Sequence, residues 1–185
     1  MRLIARQLAQ EDYRSYRKLF DEAYYEYLED LKQSNLQKYR RELKDKRRVT
    51  SSRFNFYLTT ENSFVAEKNG EVVAYVAAQT IPYMRGHDRV LWIEYVVTKH
   101  EHRRQGIATA LLKKLVNHAR QQGIDSIYAT INPDNAASIR LHQKLGFDVR
   151  NWITASLKLS NGDHLDSSAA ENQHSKAIKP RKNDM

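Results

Sequence analysis

Residues 93–112 read IEYVVTKHEHRRQGIATALL. The first part is β-branched and aromatic, the last part opens an apolar helix, and two arginines, a glutamine and a glycine lie between them. A strand that gives way through a glycine loop to a helix N-terminus exposes several unpaired backbone N–H groups at one point. Together with the positive end of the helix dipole, those donors make an anion site. Gly106 lets a ligand approach the backbone closely, and Ala108 is small enough not to obstruct it. No Gly-Lys-Ser/Thr follows a glycine loop and no G-x-G-x-x-G is present, which argues against a nucleoside-triphosphate loop and a dinucleotide fingerprint. The anion belongs to another phosphate carrier.

Around this junction the hydrophobic period sets the elements. RVLWIEYVVT, residues 89–98, is apolar on both faces and reads as a central strand. Simple alternation puts Trp92, Glu94 and Val96 on one face and Leu91, Ile93, Tyr95 and Val97 on the other. Upstream, FVAEK and VVAYVAAQTI flank Asn69-Gly70 as a β-hairpin, and a loop is expected through Pro82 and Gly86. Downstream, Ile107, Leu111, Leu112, Leu115, Val116 and Ala119 share one helix face that ends at Gly123. Residues 126–131 return to strand, a second helix capped near Asn135 closes at Gly146, and FDVRNWITASLKL forms one or two last strands.

The N-terminal third is different. RLIARQL, residues 2–8, reads as a strand, a helix begins near Glu11 with a break near Ser34-Asn35, and helix continues to about Val49. Residues 11–30 are acidic and tyrosine-rich, with net charge −4, whereas nine Lys or Arg against Glu42 and Asp45 make residues 32–53 strongly basic. Most of the chain's net charge of +9 is therefore local. The 185 residues contain no cysteine, no signal-like apolar core and no run long enough for a membrane helix, so a cytoplasmic protein without membrane contact is expected. Residues 160–185 are polar, charge-balanced and poor in large apolar residues, the composition of a disordered tail. No metal-ligand spacing occurs among the histidines, and no metal is expected.

IEYVVTKHEHRRQGIATALL resembles the acetyl-CoA motif of the GNAT N-acetyltransferases, Q/R-x-x-G-x-G/A after a strand, with Arg103, Gly106 and Ala108 at the specified positions. INPDNAASIRLHQKLGF, residues 131–147, is similar to the second GNAT motif, and the likeness covers about residues 63–158 and the first strand. The resemblance implies an α/β (α+β) fold in one domain, residues 1–159, with a mixed, splayed sheet of about six to seven strands flanked by helices and an enlarged helical segment after the first strand. It implies acetyl-CoA lying along Val96, Val97 and Thr98, its pyrophosphate met by the backbone of Arg103, Arg104, Gln105, Gly106, Ile107, Ala108 and Thr109, with Asn135 and Ser138 on the pantetheine side.

Transfer to an amine needs a base, because alkyl amines are protonated at neutral pH. Glu94 is the only carboxylate in the central strand, and burial beside Trp92 and Val96 is expected to raise its pKa. His142 occupies the position where many family members carry a tyrosine that protonates the leaving thiolate, which makes it the candidate acid. Glu26 with Tyr24 and Tyr27 offers charge and ring faces to a cationic acceptor, a small-molecule or protein amine. Two other functions fit the residues: a noncatalytic acyl-CoA sensor, and a nucleic-acid or protein-binding module using residues 32–53, although a charged helix face needs no such partner. Oligomeric state is open, a homodimer included.

Overall fold

The computed structural model describes residues 3–45 and 48–150. Five strands, β1 (Leu3–Gln7), β2 (Phe64–Lys68), β3 (Glu71–Met84), β4 (His87–Thr98) and β5 (Ser126–Ala129), form one sheet in sequential order. The first four run antiparallel and β5 joins β4 in parallel. The helices are α1 (Tyr13–Ser34), α2 (Leu36–Asp45), α3 (Ser51–Thr59), α4 (Ile107–Gln121) and α5 (Ala136–Lys144). The sheet falls short of the six to seven strands expected. The missing ones were placed in residues 147–159, of which Phe147–Arg150 are not strand and the rest, like the expected tail, lie outside the described residues.

Each face of the sheet carries its own core. On one, Leu91 and Ile93 of β4 pack with Ile107, Leu111, Leu112, Leu115 and Ala119 of α4, and with Leu141 and Leu145 near α5. On the other, Tyr75 and Ala77 of β3 pack with Tyr16, Leu19 and Phe20 of α1 and Phe54 and Tyr57 of α3. Tyr16 stacks on Tyr75 at 4.0 Å between ring centres, and Phe54 meets Tyr16 edge-on at 5.4 Å. The aromatic run at residues 54–58, whose structure the sequence pattern leaves open, is thus a helix that roofs this second core.

One ion pair sets the direction of α1. The buried Asp12 carboxylate accepts two hydrogen bonds from the Arg6 guanidinium, at 2.7 and 2.8 Å, and a third from the Ala9 N–H at 2.9 Å. A buried carboxylate is tolerable only with such full satisfaction, and this one ties the end of β1 to the start of the helix.

Two expectations are corrected. The segment through Pro82 and Gly86 is not a loop: β3 continues to Met84, and Arg85-Gly86, with φ of 54° and 80°, closes a two-residue hairpin onto His87. Positive φ at both central residues matches the twist of the flanking strands. Nor does β4 alternate along its length. The register steps from Tyr95↔Ala77 to Ile93↔Ala78, so Glu94 is an extra residue in a β-bulge. Past it the faces exchange: Val96 packs with the α4 core, Tyr95 and Val97 with the α1 core.

Leu111 is fully buried at the centre of the α4 core. Leu111→Ala is expected to lower the unfolding free energy by about 2–5 kcal/mol, read from the urea midpoint at unchanged m-value.

Candidate active site

The bulge decides where the sheet opens. β5 pairs with β4 only from Val90↔Ser126 to Ile93↔Ala129, whereas β4 runs on to Thr98 beside β3 alone. From Glu94 onward, the β4 edge that faced β5 has no strand partner among the described residues. Its backbone N–H and C=O groups therefore line a cleft between the two strands, available to an extended ligand with its own amides.

At the end of β4 the chain makes the anion cradle. Arg104 and Gly106 both have left-handed backbone, with φ of 60° and 77°. Such alternating conformations turn successive N–H groups toward one concavity. The first helical hydrogen bond of α4 runs from the Ala110 N–H to the Gly106 carbonyl at 2.9 Å, leaving the N–H groups of Ile107, Ala108 and Thr109 over. The cradle is held by side chains rather than made of them. Lys68 donates to the Gln105 amide oxygen at 2.9 Å, and Gln105 donates to the Glu101 carbonyl at 3.0 Å. Arg103 donates to the Thr98 carbonyl at 3.1 Å and forms an ion pair with Glu26 of α1. Buried Ile107 anchors the helix start in the α4 core. A diphosphate fits this arrangement, because its charge meets main-chain donors and the helix dipole without displacing a side chain.

Asn135 is at the mouth of α5, where its side-chain oxygen accepts the Ser138 N–H at 3.0 Å, which turns its amide N–H₂ away from the cap. His142 is buried. Its Nδ1 lies 2.8 Å from the Ser138 carbonyl, an acceptor only, so Nδ1 carries a hydrogen. Nε2 has no partner among the described residues, and the ring meets Phe147 edge-on at 5.0 Å.

Glu94 is exposed, so the desolvation anticipated for it is absent. It lies on the α1 side of the sheet, where its carboxylate accepts the Trp92 indole N–H at 3.1 Å. Among the described residues no cation pairs with it. Sequence reasoning missed Tyr57 on α3, whose hydroxyl feels the Glu94 charge. Burial first, and the Glu94 charge next, push the Tyr57 hydroxyl well above the ordinary tyrosine range, while Arg53 acts in the opposite sense. The signal was present as an i, i+4 spacing on a segment whose helical character was not evident.

The proposed acceptor residues of α1 have other partners. Glu26 pairs with Arg103, Tyr24 donates to the Glu42 carbonyl at 3.1 Å, and the Lys38 ammonium is 6.0 Å from the Tyr27 ring centre. A cleft of about 380 Å³ between α1 and the end of β4 is lined by alternating charges, with Lys18 beside Glu22, Arg103 beside Glu26 and Lys99 beside Glu101. It has little net attraction for a cation.

The chain matches the acetyltransferase (GNAT) family over residues 7–147. It belongs to that family. The match runs from the last residue of β1 through the α1–α3 insertion, the hairpin and the cradle to α5. Among curated relatives, an L-methionine sulfoximine/L-methionine sulfone acetyltransferase of Salmonella typhimurium is 38% identical over 87 residues, 46% of this chain and 49% of that protein. N-acetyltransferase family 8 member 2 of Rattus norvegicus is 34% identical over 92 residues, 49% of this chain and 41% of that protein. The matched stretch thus spans half or less of these relatives. In fold, the GNAT chain superposes on the aminoglycoside acetyltransferase AAC(6')-Iy bound to a bisubstrate analogue with a TM-score of 0.61 at 19% identity, covering 86% of this chain and all of that one. For meta-AAC0020, from an uncultured soil metagenomic sample and in complex with sisomicin, the TM-score is 0.64 at 14% identity, with 86% and 97% covered. Among the described residues, no helix is long and apolar enough to cross a membrane.

No atom lies within 4 Å of where a Cβ on Gly106 would stand, so a side chain there is resisted by backbone conformation rather than space in the protein. Gly106→Ala is expected to lower stability by about 1–2 kcal/mol in urea unfolding. It should also raise the acetyl-CoA dissociation constant in calorimetry, because the added methyl projects into the open cradle.

Proposed function

We propose that the protein is an N-acetyltransferase that moves the acetyl group of acetyl-CoA to a primary amine by direct attack in a ternary complex. The observation that carries this reading is that one strand links the parts of the site. At Glu94, β4 turns a carboxylate to the α1 face and frees its opposite edge, and it ends in the diphosphate cradle. Relatives named for methionine sulfoximine and structures named for aminoglycosides support an amine as acceptor.

The free edge of Val96, Val97 and Thr98 holds the pantetheine arm through backbone hydrogen bonds, with Asn135 and Ser138 on the opposite wall at α5. Residues 103–109 hold the diphosphate. Acetyl-CoA supplies a thioester carbonyl, an acyl donor with a good leaving group. An N–H on the freed edge at Val96 or Val97 meets the negative charge that grows on the carbonyl oxygen. Glu94 accepts the proton of the acceptor ammonium, directly or through a water, and its exposure lets it return that proton to solvent. The Trp92 indole N–H fixes the carboxylate for that step. A thiolate departs without help from an acid near neutral pH, so His142 is assigned to packing at the C-terminus of α5.

A panel of amines assayed for CoA release with the purified protein tests the reading, and release no faster than hydrolysis for every amine would sink it. Glu94→Gln is expected to lower kcat/KM about 100-fold while calorimetric acetyl-CoA affinity stays as in the parent. His142→Phe should retain kcat/KM within about a factor of three. A steep fall in kcat alone, with unchanged affinity and thermal stability, would restore the acid role.

A further inference from the structure

Two aromatic side chains of β4 and β5 belong to neither core. Tyr95 packs with the α1 core, and Leu91, Ile93, Ile127 and Ala129 pack with the α4 core. Trp92 of β4 and Tyr128 of β5 join neither and keep part of their surface exposed. They are partners in the parallel register, one rung before the final pair Ile93↔Ala129, with strand axes about 5 Å apart. Since Ile127 and Ala129 face α4, alternation puts Tyr128 on the α1 face beside Trp92.

Glu94 shares that face, where its carboxylate accepts the Trp92 indole N–H at 3.1 Å. The Trp92 ring is therefore in contact with the group proposed to take the ammonium proton, and Tyr128 stands one strand further away. Two groups of the β3–β4 hairpin hold Tyr128 in turn: the Arg85 guanidinium lies over its ring, 5.5 Å from the centre, and the His87 ring is 6.2 Å away. The hairpin closed at Arg85-Gly86 thus supports the outer end of the row. A carboxylate and two rings follow one another across the root of the cleft, on the side the acceptor uses.

The rest of the face carries little charge. Register aligns Gln79 with Trp92, and Ile81 and Ser126 with Val90. Among the described strand residues on this face between Val90 and Glu94, Glu94 is the one carboxylate. One carboxylate neutralises one ammonium, and a polycation would bring further charges onto an amide and apolar groups. The Tyr128 ring face is no substitute, because the Arg85 guanidinium already lies over it. A planar ring joined to the amine by a short chain instead meets Trp92 and Tyr128 in the edge-on or offset contacts that aromatic pairs favour. Resting on the transferase reading above, we infer that the acceptor is a monoamine of the arylethylamine class, its ammonium directed to Glu94 and its ring seated on Trp92 and Tyr128. Tyr128 is then a specificity-determining residue: it takes no part in the transfer of the acetyl group and selects what the amine carries.

The test measures CoA release by the whole chain with phenethylamine and tryptamine against n-hexylamine and spermidine. The arylethylamines are expected to lead by about 5- to 10-fold in kcat/KM, the upper range of one aromatic pair. Tyr128→Phe should keep that lead, and Tyr128→Leu, which fills similar space without a ring, should remove most of it through KM while calorimetric acetyl-CoA affinity stays as in the parent. Wild-type protein that acetylates spermidine or n-hexylamine as well as phenethylamine overturns the inference and leaves the transferase reading in place. So does a Tyr128→Leu variant, folded by its melting curve, that keeps the aryl preference. CoA release with no amine of this set or of the wider panel removes the transferase reading itself and this one with it.

Discussion

Hydrogen bonding along β4 is the constraint on which the remainder depends. A strand in the middle of a sheet must pair on both edges, and β4 does so only as far as Ile93. The extra residue at Glu94 ends that condition. It rotates the following residues by half a pleat, so Val96 joins the α4 core and Tyr95 and Val97 the α1 core, and the parallel partner can no longer follow. A cleft with unpaired main-chain groups results without any cavity being carved from the hydrophobic core. The cores on either side stay dry and closely packed, which holds the cleft walls rigid.

The same device puts chemistry at the point of opening. The bulged residue is a carboxylate, turned to the face where α1 and α3 pack, whereas the strand's free edge looks toward β5 and α5. In the proposed reaction, donor and acceptor would approach from opposite sides of one strand, the arrangement a direct transfer needs. The loop that follows continues the logic. Its side chains Arg103 and Gln105 are engaged in holding the loop to α1 and, through Lys68, to β2, and the main-chain N–H groups at the start of α4 are left over. Fixed dipoles of this kind need little reorganisation when a charged ligand arrives.

Charge pairing also explains why the long α1–α3 insertion does not act through its composition. The acidic tyrosine-rich stretch looks like a cation receiver when read as a string. In three dimensions Asp21 and Glu22 meet Arg17 and Lys18 of the same helix, Glu26 meets Arg103 of the cradle, and Tyr24 holds α2 and packs beside Tyr27.

Periodicity, turn residues and the glycine loop were enough to place the hairpin at Asn69-Gly70, the central strand, α4 with its apolar face and the Asn135-capped α5, because each is governed by contacts within a few residues. The cradle at residues 103–109 was legible for the same reason, since a left-handed glycine before a helix is a local feature. The bulge was not legible, because one extra residue in a strand is specified by what its neighbour β3 presents across the ladder, and an apolar run on both faces carries no mark of the slip. The exposure of Glu94, the burial of His142, the closure of Glu26 on Arg103 and the approach of α3 to the bulge all depend on pairs far apart in the chain. Sequence alone thus determined the elements and the left-handed turn that opens α4, through local backbone chemistry. Only the tertiary structure decided which charges meet a partner across the fold, as Glu26 meets Arg103, because that depends on long-range packing.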